Sequence, residues 1–150
     1  MKKVISLVLV MVLLCGCTKK YSCEKSTTTD DFEYKIKMDL AFSSGKIKTV
    51  NTEVTYDLTD AGYKKIDTLN ESLESKSKNY NMSKYVTFNF KVEDKKVSVF
   101  EDIDLSKSSQ DEIDKVLKYD DVSTIYFNSK YKLDDVISEL KNNDFSCSLK

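Results

Sequence analysis

The chain has no histidine, arginine, tryptophan or proline among its 150 residues. Without histidine there is no Ser-His-Asp or Cys-His catalytic arrangement, no imidazole general base and no His-ligated zinc. Without arginine, all 24 basic residues are lysine, which lacks the planar fork that reads phosphate or guanine through two parallel hydrogen bonds. Set against 25 acidic residues they leave a formal charge of −1, so nucleic acid is disfavoured as a partner. What is present, 40% hydrophobic and 33% charged residues, is too apolar for a disordered tail and too polar for a multi-span membrane protein. One folded domain with a real core is expected.

The first residues read as an export signal. Lys2 and Lys3 form a positive n-region, and Val4 to Leu14 are eleven residues of nearly unbroken aliphatic character. At about 1.5 Å per residue these span roughly 17 Å, short of a hydrocarbon core of about 30 Å, which makes them an h-region rather than a transmembrane helix. Leu14-Cys15-Gly16-Cys17 follows, and it resembles the lipobox of bacterial lipoproteins, with a leucine three positions before the modified cysteine and a small residue just before it. Cys15 does not fit, because bulky Leu14 would stand where the peptidase needs a small side chain. The resemblance implies cleavage of residues 1–16, a diacylglyceryl group on the Cys17 thiol, and residence at the cell membrane on its extracytoplasmic side. An ordinary secretory signal cut nearby, or a chance hydrophobic start, is the alternative. Cleavage removes Lys2 and Lys3 and leaves 22 lysines against 25 acids, a charge of −3.

Two further cysteines remain, Cys23 and Cys147, 124 positions apart. Outside the cytoplasm a disulfide persists, so the pair reads as a structural bridge tying both ends of the domain, with two unpaired thiols as the alternative. Redox catalysis is disfavoured, since redox-active cysteines usually lie close together at a helix N-terminus. Residues 17–22 are expected to be a short tether, at most about 20 Å when extended, and 23–150 the domain, resting close to the membrane.

Within that domain Phe32, Tyr34, Ile36, Met38, Leu40 and Phe42 alternate with polar residues, the signature of a strand buried on one face. Ser43-Ser44-Gly45 marks a turn, and Val50, Val54, Tyr56 and Leu58 continue the pattern on a return strand. Ile47 is out of phase, which predicts a bulge or an outward residue. From Asp60 the period becomes helical, with Tyr63, Ile66, Leu69, Leu73 and Tyr80 on one stripe, and Thr59 or Asp60 as the cap. A second hairpin runs through Val86, Phe88, Phe90 and Val92, turns at Glu93-Asp94-Lys95 and returns through Val97, Val99, Ile103 and Leu105. Ser109-Gln110-Asp111-Glu112 reads as a capping box before a short helix, Val122 to Phe127 as a short strand, Leu133 to Leu140 as a helix, and Phe145 to Leu149 as a last strand carrying Cys147. The expected class is α+β, a mainly antiparallel sheet with helices packed on one face.

The order of parts, from the signal and early cysteine through Phe100-Glu101-Asp102-Ile103-Asp104-Leu105 to Asp144-Phe145-Ser146-Cys147, resembles the YehR-like small bacterial lipoproteins. The chain departs from that pattern where Asn143-Asp144 precedes Phe145. The resemblance implies an α+β envelope lipoprotein and brings no catalytic residues, cofactor or ligand set with it.

The remaining chemistry lies in carboxylates: Asp30-Asp31, Glu101-Asp102-Asp104, Asp120-Asp121 and Asp134-Asp135. Asp102 and Asp104 share a strand face and could hold calcium, yet no cluster has the Asp-x-Asp-x-Asp-Gly loop or its distal glutamate, so solvated carboxylates beside lysines are expected and no metal or cofactor is assigned. Glu101 and Asp104 as a glycosidase pair would lack tryptophan-bearing sugar subsites. Tyr34, Tyr56 and Tyr63 fall on core faces, while Tyr85 and Tyr131 fall off the register, where a tyrosine can anchor a partner. The expectation is a non-enzymatic module, tethered to the membrane through Cys17, that binds an envelope protein or peptide. An acid-dependent envelope hydrolase and a small-ligand carrier are the alternatives.

Overall fold

The computed structural model describes residues 18–81, 83–107, 109, 111 and 132–150. These contain strands β1 (Thr18–Thr28), β2 (Phe32–Ser43), β3 (Lys46–Leu58), β4 (Val86–Glu93), β5 (Lys96–Asp104) and β6 (Ser146–Leu149). Helices α1 (Asp60–Tyr63), α2 (Ile66–Tyr80) and α3 (Leu133–Asn142) complete them. The strands form one antiparallel sheet in the order β4-β5-β3-β2-β1-β6, an α+β architecture. Cys17, Asp120-Asp121, Tyr131, the helix expected after Ser109 and the strand expected at Val122 to Phe127 lie outside the described residues.

Alternation decides which face is buried. Ile36, Met38, Leu40 and Phe42 of β2 are buried, and their cross-strand neighbours Val54, Val50 and Ile47 belong to the same core or pack against it. Ile47 reaches that face because the register shifts between Ala41 and Phe42, which pair with Thr49 and Ile47 and leave Lys48 as the extra residue of a bulge. The Leu105 N–H then donates to the Lys48 carbonyl at 2.8 Å, so the displaced backbone group is used. The hairpin closes through Ser44 and Gly45 at φ of 53° and 72°, the two positive values a tight two-residue turn requires and glycine takes without strain.

Three expectations are corrected. The tether assigned to residues 17–22 is strand from Thr18 onward: β1 pairs with β2 from Thr18↔Ser43, and Ser22 is buried. The single helix expected from Asp60 is broken at Lys64 and Lys65 into α1 and α2. Thr59 caps α1, its hydroxyl accepting from the Gly62 N–H at 3.2 Å. Gly62 lies so close to the β1–β2 turn that a Cβ there would sit 2.0 Å from the Asp31 carbonyl oxygen, so the short helix is pressed onto the turn before the chain redirects. That redirection leaves Tyr63, expected in the core, 40% exposed.

Candidate functional site

Strand alternation puts one acid on the wrong side of the sheet. β5 buries Val97, Val99, Glu101 and Ile103, so Glu101, only 6% exposed, occupies a core position while Asp102 and Asp104 face outward. Its cross-strand neighbours are Thr52 on β3 and Phe88 on β4. Above them α2 presents Leu69, Leu73, Lys76 and Tyr80, successive positions on one helical stripe. Sheet and helix enclose a cavity of about 100 Å³ whose polar lining includes Thr52, Tyr56, Lys76, Tyr80 and Glu101. The Thr52 hydroxyl is buried there without a hydrogen-bond partner among the described residues. The Tyr80 ring meets Phe88 edge-on at 5.1 Å between centroids.

The next residue fixes the helix end. The Asn81 side-chain amide donates to the Phe88 carbonyl at 3.1 Å, and its oxygen accepts from the Phe88 N–H at 3.0 Å. One asparagine thus satisfies both backbone groups of Phe88 on edge strand β4, as a partner strand would. Chemically, the cavity gathers a carboxyl, an ammonium, two phenols and the hydroxyls of Thr52 and Ser72 at the scale of a few water molecules, below the roughly 300–1,000 Å³ of ordinary small-molecule sites. Periodicity alone marked position 101 as inward-facing, a signal masked by the two acids beside it.

The other sequence candidates are dispersed. Glu101 and Asp104 lie on opposite faces of β5, so the glycosidase pairing has no geometry. Asp102 accepts from the Asn51 side-chain amide across the strands. Asp104 accepts from the Ser106 hydroxyl and backbone N–H and stands 3.4 Å from the Lys107 Nζ. The Ser106 hydroxyl, with further help from its N–H and from Lys107, holds the Asp104 carboxyl below its ordinary range against the opposing effect of burial. Asp31 pairs with Lys65 and Asp60 with Lys95, each at 2.6 Å, and the Lys95 hydrogen bond and charge hold Asp60 low. Asp134 and Asp135 occupy the first turn of α3, where the helix dipole favours negative charge. Among the described residues no group of three metal-binding side chains converges. Tyr34 and Tyr56 pack with Phe32 in a cluster of rings 5.4 to 6.0 Å apart, and Tyr85 is half-buried beneath the Lys84 ammonium.

At the opposite edge Cys23 and Cys147 are direct cross-strand partners on the core face and are joined by a disulfide, Cα atoms 4.0 Å apart. Beside it Lys25 donates to the Asn143 carbonyl at 3.0 Å and lies 5.8 Å from the centre of the Phe145 ring, neutralising the negative end of α3.

No protein-family model matches the chain, and no curated protein matches it. Among solved structures it is similar to an NMR structure of a protein from Streptococcus pneumoniae TIGR4, with a TM-score of 0.57 at 10% identity, covering 88% of this chain and 84% of that one. It is also similar to the NMR structure of the E. coli YehR protein, with a TM-score of 0.59 at 15% identity, covering 88% and 90%. At such identities the likeness is one of fold: the chain has a YehR-like fold.

Proposed function

We propose that this chain is a YehR-like envelope lipoprotein, acylated on Cys17 after loss of residues 1–16, whose domain is a non-enzymatic module that binds a protein or peptide of the envelope. The observation that carries this reading is the start of β1 at Thr18, one residue after the lipobox cysteine. A strand paired with β2 along its whole length and stapled to β6 by a disulfide is a rigid mount, so acyl chains on Cys17 would hold the sheet itself at the membrane surface. The non-enzymatic part of the reading is supported by the dispersal of the acids: Glu101 lies on the core face of β5 while Asp102 and Asp104 face outward, held by Asn51 and by Ser106 and Lys107. In this reading α2, through Leu73 and Tyr80, and α3, through Val136 and Leu140, cover the same face, leaving the charged outer face for a partner. Phe100, 42% exposed between Asn89 and Glu53, gives that face an aromatic contact.

Replacing Cys17 with Ser tests the anchor. The variant is expected to lose incorporation of a clickable fatty acid and to leave the membrane fraction while its domain stays folded. Label retained by the variant would overturn the assignment.

A further inference from the structure

The anchor end of the domain gathers lysines that form no ion pair among the described residues. Thr18 pairs with Ser43, so the chain enters the sheet beside the Ser44-Gly45 turn. The start of α3 is fastened to the same turn: the Leu133 N–H donates to the Gly45 carbonyl at 3.0 Å, and Lys132 forms an isolated antiparallel bridge with Lys46. These pieces border an open notch of about 540 Å³ that Lys19, Lys46 and Lys132 all line, with Asp134 the one acid among its described lining residues. None of the three lysines is ion-paired among the described residues. Lys46 opposite Lys132 is a like-charge cross-strand pair, an arrangement that destabilises unless an anion lies between.

Charge is distributed along the sheet in the same sense. The far end carries Asp30, Asp31, Glu33, Asp57, Asp60, Glu93 and Asp94 against Lys64, Lys65, Lys95 and Lys96, of which Lys65 and Lys95 are paired with Asp31 and Asp60. A domain whose cleaved charge is −3 would be repelled as a whole by an anionic surface, and the lysine end is the one that can approach it. Lys19 is two residues from Cys17, within about 7 Å of chain, which is headgroup depth if Cys17 carries acyl chains.

We infer that the Lys19, Lys46 and Lys132 notch binds the phosphate headgroups of anionic phospholipids and thereby sets the domain's orientation on the membrane. The inference deepens the anchor reading and rests on it for placement. Recruitment follows from the phosphodiester charge meeting a notch that three lysines line, each lysine strengthening attachment on the order of fivefold.

The test is residue-resolved amine acetylation of the full-length acylated protein, read by mass spectrometry. The protein is reconstituted in vesicles of phosphatidylcholine alone, or of phosphatidylcholine and phosphatidylglycerol in equal parts. Acetylation of Lys19, Lys46 and Lys132 is expected to slow by about fivefold or more in the anionic vesicles only. Lys64, at the far end, should react equally in both. In a Lys46→Gln, Lys132→Gln variant, Lys19 should lose most of that protection. Equal rates in the two vesicles would overturn the proposal, reducing any protection to nearness of the bilayer. So would equal protection in detergent by inorganic phosphate, which would make the notch a free-anion site. The mass of the Cys17 peptide is read in the same experiment. An unmodified Cys17 defeats the anchor reading, and the same comparison of rates, on protein added to the two vesicles at low salt, still decides the lysine notch.

Discussion

One row of core-facing residues crosses all six strands: Phe88, Glu101, Thr52, Met38, Cys23 and Cys147 are successive cross-strand neighbours. Its two ends are held by opposite means. At the Cys147 end, β6 has only four residues, too few to fasten a chain terminus by ladder hydrogen bonds alone, and a covalent bond completes the attachment. At the Phe88 end, β4 has eight residues and is held without a covalent bond, by its ladder to β5 and by the Asn81 amide. At the covalent end Cys23 is fully buried and Cys147 half-buried against the core. The other end tolerates a carboxyl, a hydroxyl and a small cavity under α2. A terminal strand too short to supply enough contacts gains most from a bond whose effect depends on loop length rather than buried area, whereas a longer edge strand leaves room for polar chemistry beneath its covering helix.

The largest effect tests what the two ends share, a single buried face. Ile36→Asp introduces an unpaired charge into the core and is expected to cost about 3–5 kcal/mol, enough to unfold a marginal domain. Lys37 lies one residue along, on the wet face between Glu24 and Glu53. An aspartate there would add like-charge repulsion, so Lys37→Asn is the matched control, expected to remain within about 1 kcal/mol of the parent. Urea titrations of both variants check the register. Equal destabilisation would mean that the strand does not present the faces described.

Breaking the covalent end comes next. Replacing Cys23 and Cys147 together by serine frees a loop spanning 124 positions, which in the chain-entropy model costs up to about 5 kcal/mol. Thermal melts should show a clear drop, and limited proteolysis should cut first at the C-terminal strand. A variant with an unchanged melting temperature would show that Lys25, Phe145 and the strand ladder suffice there.

Much of this was legible in sequence because β2 to β5 alternate over most of their length and the β2–β3 and β4–β5 hairpins carry their own turn signals. Ile47 breaks phase by one residue, and the bulge at Lys48 is the physical meaning of that break. Three features were not legible, for separate reasons. β1 reads as Thr-Lys-Lys-Tyr-Ser-Cys-Glu-Lys-Ser-Thr-Thr, with too few apolar residues to announce a strand, and it is defined by its neighbours β2 and β6. The break between α1 and α2 comes from the approach of Gly62 to Asp31, a tertiary contact that no helical period encodes. Glu101 stands at an inward position in the register, but composition draws it into the acidic run with Asp102 and Asp104. Only pairing with Thr52 and coverage by α2 separate it from them.

A smaller change sharpens the contrast at the polar end. Thr52→Val replaces the buried hydroxyl by a methyl group of similar shape. With no hydrogen-bond partner for that hydroxyl among the described residues, the substitution is expected to stabilise by about 1 kcal/mol, read as a higher urea midpoint at unchanged slope. A loss of similar size would mean that water in the cavity bonds the hydroxyl, making the polar end a hydrated site and not a packing defect.

The smallest effect concerns the acid nearest the covalent end. Asp39 lies on the outer face, accepting from the Ser22 hydroxyl at 2.9 Å and paired with the Lys150 Nζ at 2.6 Å. Partial burial pushes its carboxyl up, but the hydrogen bonds from Lys150 and Ser22 and the charges of Lys150 and Lys37 outweigh it and hold Asp39 below its ordinary range. A carboxyl depressed in the folded state contributes stability above its unfolded value, about 3.8, and that contribution disappears as pH falls through the lower folded value. Asp39 is 40% exposed and Lys150 44%, so solvent screening limits the contribution to a few tenths of a kcal/mol. Asp39→Asn should therefore melt slightly below the parent at pH 6, and the gap should close as pH falls below 3.8 toward 2, with added salt narrowing it at every pH above that range. A gap that stays constant down to pH 2 would assign the effect to lost hydrogen-bond geometry at Ser22, leaving the C-terminal lysine without an electrostatic part in holding β6.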